Sequence, residues 1–106
     1  DIYVNVIGGM KVDEPAVDLA VAMAVVSTYK NKVIDNKVVF IGEIGLSGEI
    51  RSISNIEKRV KEITKMGYKT IVGRKKQLTN LKEEFEKDVK FIGISTIDEA
   101  IEYILK

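Results

Sequence analysis

The sequence has no cysteine, no histidine and no tryptophan, and a single proline among 106 residues. Without cysteine there is no disulfide framework, no thiol nucleophile and no zinc site built on thiolates. Without histidine the chain lacks the usual general base and the commonest transition-metal ligand. Ser–His–Asp, Cys–His and zinc-hydrolase chemistries are therefore excluded. What remains is chemistry run by carboxylates, lysine or serine, or no chemistry at all. Long apolar runs are missing too: the longest, Leu19 to Val26, falls far short of the roughly 20 residues of a membrane span. No basic leader with a cleavage site precedes it. The expectation is a soluble, cytoplasmic chain without membrane contact. It opens at Asp1 with no initiator methionine, which suggests a piece of a longer protein.

Apolar residues make up 45% and charged residues 31%, an ordinary globular balance. The length suits one domain, residues 1–106. Ile2 to Ile7 alternates apolar residues with Tyr and Asn and stops at Gly8-Gly9, which reads as a strand and a turn. Pro15 fits the first turn of a helix running to about Tyr29, with Asp13 and Glu14 ahead of it favourable to the dipole. That helix is apolar nearly all round and should be buried, Asp18 being the exception. Val38 to Ile44 reads as a second strand, joined by the tight Gly45-Leu46-Ser47-Gly48 connection to an antiparallel third at Glu49 to Ile53.

Ile56, Val60 and Ile63 mark a second helix from about Asn55 to Met66, stopped at Gly67. Then come a strand at Lys69 to Val72, a polar helix at Leu78 to Glu86 and a strand at Val89 to Ile94. A last helix is expected to be capped by Ser95, with Asp98 three residues on. The order predicts an α/β chain with a mixed sheet, parallel where helices separate the strands.

Net charge is +1, but it is unevenly spread. Residues 51–76 hold nine basic side chains against Glu57 and Glu62, net +7, while the segments on either side are each net −3. So basic a stretch can track a polyanion through counterion release. A solvated helix face is the bland alternative. Helical geometry puts Lys58, Lys61 and Lys65 on the outer side of the second helix. Arg59 falls at the margin of the apolar stripe, where a charge needs a partner.

Ile7-Gly8-Gly9-Met10 lacks the residues of a phosphate loop or a dinucleotide fingerprint, which argues against nucleotide binding. Asp13, Glu14 and Asp18 lack the spacing and glycine of an EF-hand; they read as helix N-terminal acids plus one ion-pair partner, and no metal is expected. Two longer blocks are more specific. Val6-Ile7-Gly8-Gly9-Met10-Lys11-Val12-Asp13-Glu14-Pro15-Ala16-Val17-Asp18-Leu19-Ala20 and Phe40-Ile41-Gly42-Glu43-Ile44-Gly45-Leu46-Ser47-Gly48-Glu49-Ile50-Arg51 together resemble the C-terminal domain of the bacterial RadA (Sms) family. That domain is similar to the proteolytic domain of Lon. The resemblance covers essentially the whole chain. It implies the Lon protease fold, related to the second domain of ribosomal protein S5.

Lon-type peptidases pair a serine nucleophile with a lysine base. By the resemblance, the serine position here is Ala16 and the lysine position is Arg59. Alanine has no nucleophile, and arginine stays protonated. The resemblance therefore implies a protease fold without protease chemistry. Ser47, Ser52 and Ser54 lie near the hairpin, but closeness in sequence does not make a Ser–Lys dyad. Arg59 is expected to form an ion pair with Asp18 or Glu43 in the former cleft.

The implied parent is a hexameric, ATP-driven DNA motor of recombinational repair that promotes branch migration. Its ATP, magnesium and zinc sites belong to domains missing from these residues. The tail would contribute ring assembly and DNA contact, with Lys58, Lys61, Lys65, Arg74, Lys75 and Lys76 as candidates for the polyanion-facing surface. Two rivals stand beside it: a structural scaffold that only closes the ring, and a diverged Ser–Lys peptidase.

Overall fold

The computed structural model describes residues 14–105. The expected strand Ile2 to Ile7, the Gly8-Gly9 turn and Asp13 lie outside them. A single turn of 3-10 helix at Pro15–Val17 leads into α1 (Asp18–Lys30). Next come β1 (Val38–Phe40), β2 (Glu43–Ile44), β3 (Ile50–Arg51) and α2 (Ile56–Lys65). The chain continues through β4 (Thr70–Arg74), α3 (Lys75–Thr79), α4 (Lys82–Phe85), β5 (Lys90–Ile94) and α5 (Ile97–Leu105). Strands β1, β4 and β5 form a parallel sheet in the order β1-β4-β5, and β2 pairs with β3 as an antiparallel hairpin. The expected mixed α/β architecture is therefore observed.

Alternation along the strands sorts the core into two layers. Val39 and Ile71 point to one face, where Val60 and Ile63 of α2 meet Leu78, Leu81 and Phe85. Phe40 and Val72 point to the other, against Leu19 and Met23 of α1 and Ala100 of α5. A parallel sheet covered on both faces is the arrangement that buries such apolar strands. On each face the helices run back from the carboxyl edge of the sheet. Helix α1 begins beside Gly42, just past β1, and α5 begins just past β5. Helix α2 ends at Gly67, whose left-handed φ of 91° turns the chain back to Lys69, hydrogen-bonded to Lys37 at the amino edge.

Several boundaries differ from the sequence reading. The expected strand Val38 to Ile44 breaks after Phe40. The Ile41 N–H still donates to Val72, but the Gly42 N–H donates to the Ala16 carbonyl (2.9 Å), and the Gly42 carbonyl accepts from the Leu19 N–H (3.0 Å). The chain thus leaves the sheet to satisfy backbone groups at the start of α1. The third strand is shorter than expected, Ile50–Arg51. The polar helix expected at Leu78 to Glu86 is two short helices, and Leu78, Leu81 and Phe85 carry them into the core. Helix α1 is not buried all round: Leu19 and Met23 are fully enclosed, while Val25 is more than half exposed.

The cap of α5 is Thr96, not Ser95. Its Oγ1 accepts from the Glu99 N–H (3.3 Å), while Glu99 Oε1 accepts from the N–H groups of Ser95 (2.8 Å) and Thr96 (3.2 Å). This reciprocal capping box uses Glu99 where Asp98 was expected. Thr96→Ala should therefore lower the unfolding free energy by about 1 kcal/mol, whereas Ser95→Ala should leave the urea midpoint nearly unchanged. A reversed order of the two would return the cap to Ser95.

Candidate functional site

The first candidate region is the cleft where α1 begins. Ala16 is buried there, held by its carbonyl to the Gly42 N–H. Arg59, one turn into α2, is only 17% exposed at its side chain. Its Nε donates to the Ser54 carbonyl (2.9 Å), and its Nη2 lies 3.4 Å from Glu14 Oε1. The guanidinium thus reaches the segment that carries Ala16, but its carboxylate partner is Glu14 rather than Asp18 or Glu43. Asp18 Oδ2 instead accepts from the Ile44 N–H (3.2 Å), tying α1 to the hairpin. Glu43 faces Arg51 at 3.9 Å. Sequence reasoning assigned Glu14 to the helix dipole; the missed signal is that a residue just before the helix can be crossed by a long side chain from α2.

The hairpin is closed by Glu49. Its Oε1 accepts from the Ser47 N–H (3.0 Å), and its Oε2 lies 3.1 Å from Arg51 Nη2. A hydrogen bond from its own backbone N–H, the Arg51 guanidinium and the Ser47 N–H hold its carboxyl below the ordinary carboxylate range, against the opposing effect of desolvation.

The six basic candidates fall into two groups. Lys58, Lys61 and Lys65 are exposed on α2, as helical spacing requires, with Lys61 Nζ 3.7 Å from Glu57 one turn earlier. Arg74, Lys75 and Lys76 line a separate groove of about 690 Å³ at the carboxyl edge of β4 and β5, together with Thr79, Asn80 and Ser95. The lining carries three cations, two hydroxyls and an amide, with no carboxylate. Crevices outside the carboxyl ends of strands are where open α/β sheets take ligands.

Two braces fix the groove. The Arg74 guanidinium donates to Ser52 Oγ, engaging that hydroxyl with an arginine. The Gln77 amide clamps Ile53 from both sides, donating to its carbonyl (2.7 Å) and accepting from its N–H (3.1 Å). Gly93 completes the seat: a Cβ there would stand 2.9 Å from Lys75 Cα, so only glycine lets the start of α3 lie against β5. Neither Gln77 nor Gly93 stood out in the sequence, because their roles depend on long-range neighbours. No helix of the described residues is long and apolar enough to cross a membrane.

A family model described as subunit ChlI of Mg-chelatase matches residues 1–77. The chain is 48% identical over 105 residues to the DNA repair protein RadA of Listeria monocytogenes, covering 99% of this chain and 22% of that protein. It is 42% identical over 104 residues to RadA of Streptococcus pneumoniae, covering 98% of this chain and 24% of that protein. RadA of Halalkalibacterium halodurans is 41% identical over 105 residues, 99% of this chain and 22% of the relative. The resemblance to RadA read from the two sequence blocks thus holds over nearly the whole chain, which spans about a fifth of the length of these curated relatives.

Two outcomes test this geometry. Glu14→Gln should destabilise the domain by about 1 kcal/mol by leaving a largely enclosed guanidinium without its charge partner. Asp18→Asn keeps an acceptor for Ile44 and should cost less; urea unfolding that ranks them the other way would shift the pairing to Asp18. Glu49 supplies a pH test. A carboxyl whose folded pKa is depressed contributes stability above its unfolded pKa and loses that contribution as pH falls through the folded one. Acidification below the ordinary carboxylate range should therefore lower the protection factor of the Ser47 amide, taken relative to its intrinsic exchange rate at each pH, and Glu49→Gln should flatten that dependence.

Proposed function

The chain belongs to the family described as subunit ChlI of Mg-chelatase, and from that premise, with RadA DNA repair proteins as its relatives, we propose that it is a non-proteolytic, Lon-like module that contacts DNA and helps assemble a ring. The reading follows the RadA relatives, which cover 98–99% of this chain, rather than the Mg-chelatase description, whose match stops at residue 77. Within it, the module works in branch migration as part of a cytoplasmic hexamer. Nucleotide hydrolysis, with its ATP, magnesium and zinc, is assigned to the rest of the parent protein.

One observation carries the DNA reading: the carboxylate-free groove of Arg74, Lys75 and Lys76, braced from Ser52 and Ile53. Phosphate oxygens accept from arginine, lysine, hydroxyl and amide donors, which is the set this groove presents. Arg74, already held by Ser52, loses less side-chain freedom on binding than the exposed α2 lysines, and Lys61 already has Glu57 beside it. The absence of protease chemistry rests on Ala16 and Arg59. A buried methyl offers no nucleophile, and a guanidinium facing Glu14 offers no base.

Duplex-DNA affinity across a salt series, read by fluorescence anisotropy, tests the proposal. The R74E/K75E/K76E variant should lose most binding, and the slope of log K against log salt should flatten by about 0.9 for each phosphate the variant no longer neutralises. The K58E/K61E/K65E variant should weaken binding less. Equal affinity in wild type and both variants would remove DNA contact from this domain and leave the scaffold reading.

A further inference from the structure

The link between β3 and α2 is gripped at three consecutive residues by side chains from three different elements. At the end of β4, the Arg74 guanidinium donates through Nη1 to Ser52 Oγ. From α3, the Gln77 amide donates to the Ile53 carbonyl (2.7 Å) and accepts from its N–H (3.1 Å). From α2, Arg59 Nε donates to the Ser54 carbonyl (2.9 Å). The Ile53 side chain packs against the core on the α2 face, so the middle of the link is anchored from within as well. Ser52 therefore sits on a fixed piece of backbone. Of the three gripping side chains, Arg74 is the one that lines the groove.

A guanidinium carries its five N–H groups in one rigid plane. The Nε and Nη2 groups point the same way and can donate to two oxygens of one phosphate, while Nη1 lies away from that edge. With Nη1 engaged by Ser52, the paired edge is left for a ligand. Among the described residues no carboxylate forms an ion pair with Arg74. Lys75 and Lys76 are exposed and offer mobile point charges with no such edge. Orientation of a bound phosphate thus falls to Arg74, and orientation of Arg74 falls to a hydroxyl that is not part of the groove lining. Ser52 is itself exposed, so its side chain adds little to folding.

We propose that Ser52 is a positioning residue for phosphate binding: its hydroxyl holds Arg74 Nη1 so that the Nε–Nη2 edge meets one phosphate of the DNA backbone. Lys75 and Lys76 add charge, and Arg74 fixes where the phosphate sits. The inference deepens the DNA half of the proposed function and rests on it. A guanidinium already turned towards its ligand loses less freedom on binding, so the hydroxyl raises affinity without adding a charge. Removing it weakens binding and leaves the number of neutralised phosphates unchanged.

Duplex-DNA affinity, read by fluorescence anisotropy, should fall about fivefold in S52A at fixed salt. The slope of log K against log salt and the melting temperature should both stay as in wild type. S52T keeps the hydroxyl and should bind as wild type. R74K keeps the charge without the paired edge; it should also lose affinity, and S52A added to it should cost nothing more. Wild-type affinity in S52A, an equal further loss in the R74K background, a flatter slope, or a melting temperature that falls with the affinity would overturn the proposal. DNA binding that ignores S52A sinks this inference alone. If the wild type binds no DNA, the DNA reading fails, and titration with inorganic pyrophosphate, followed through the Arg74 Nε–H signal by NMR, decides this one. The signal must then shift in wild type and S52T and need more pyrophosphate in S52A; no shift, or the same titration in all three, overturns the positioning role.

Discussion

Three backbone hydrogen bonds at Ile41 and Gly42 join the parallel sheet to the start of α1 where the chain turns off into the hairpin. Ile41 keeps its place in the parallel sheet by donating to Val72. One residue later, Gly42 donates to Ala16 and accepts from Leu19. The chain is thereby turned out of the sheet and stitched to the first turn of α1. The hairpin can project only because β1 ends there, and α1 can seat Leu19 and Met23 against Phe40 and Val72 only because its start is held at the carboxyl edge. The helix start would otherwise carry unpaired N–H groups. Asp18 adds a further stitch, accepting from Ile44 in the hairpin.

From that junction, the carboxyl edge divides by face. On the α1 and α5 side lie the hairpin and its acids. On the α2 and α3 side lie the cations of Arg74–Lys76, with Arg74 held by Ser52 and α3 tied to Ile53 through Gln77. Arg59 spans the space between α2 and the segment before α1, and its pairing with Glu14 ties the two together. The guanidinium is enclosed enough that removing its partner costs more than a surface pair would. One edge thus carries a tie, a cation-lined groove and a projecting apolar side chain, each built on the same sheet.

Much of this was legible because it obeys local rules. Helical spacing marked Ile56, Val60 and Ile63, glycine ended α2 at Gly67, and the Gly45–Gly48 turn announced an antiparallel hairpin. Helices between strands announced the parallel sheet. The misses share one cause. Leu78, Leu81 and Phe85 sit among charged neighbours, so their core role emerges only when α3 and α4 fold onto α2. Thr96 and Ser95 are equivalent as caps in sequence, and backbone geometry picks Thr96. Arg59 could be seen to need a carboxylate, and Asp18 or Glu43 was expected; the fold brings Glu14 to it instead.

The sequence by itself determined the α/β class, the lack of cysteine and histidine chemistry, and the concentration of positive charge between residues 51 and 76, because composition and short-range periodicity do not depend on distant contacts. Tertiary structure alone decided which cations share a groove, which carboxylate meets Arg59, and that Leu46 and Tyr29 face solvent. Those outcomes depend on side chains 20 or more residues apart in sequence being brought within a few ångströms, or kept apart. A chain specifies such distances only through the whole of its packing.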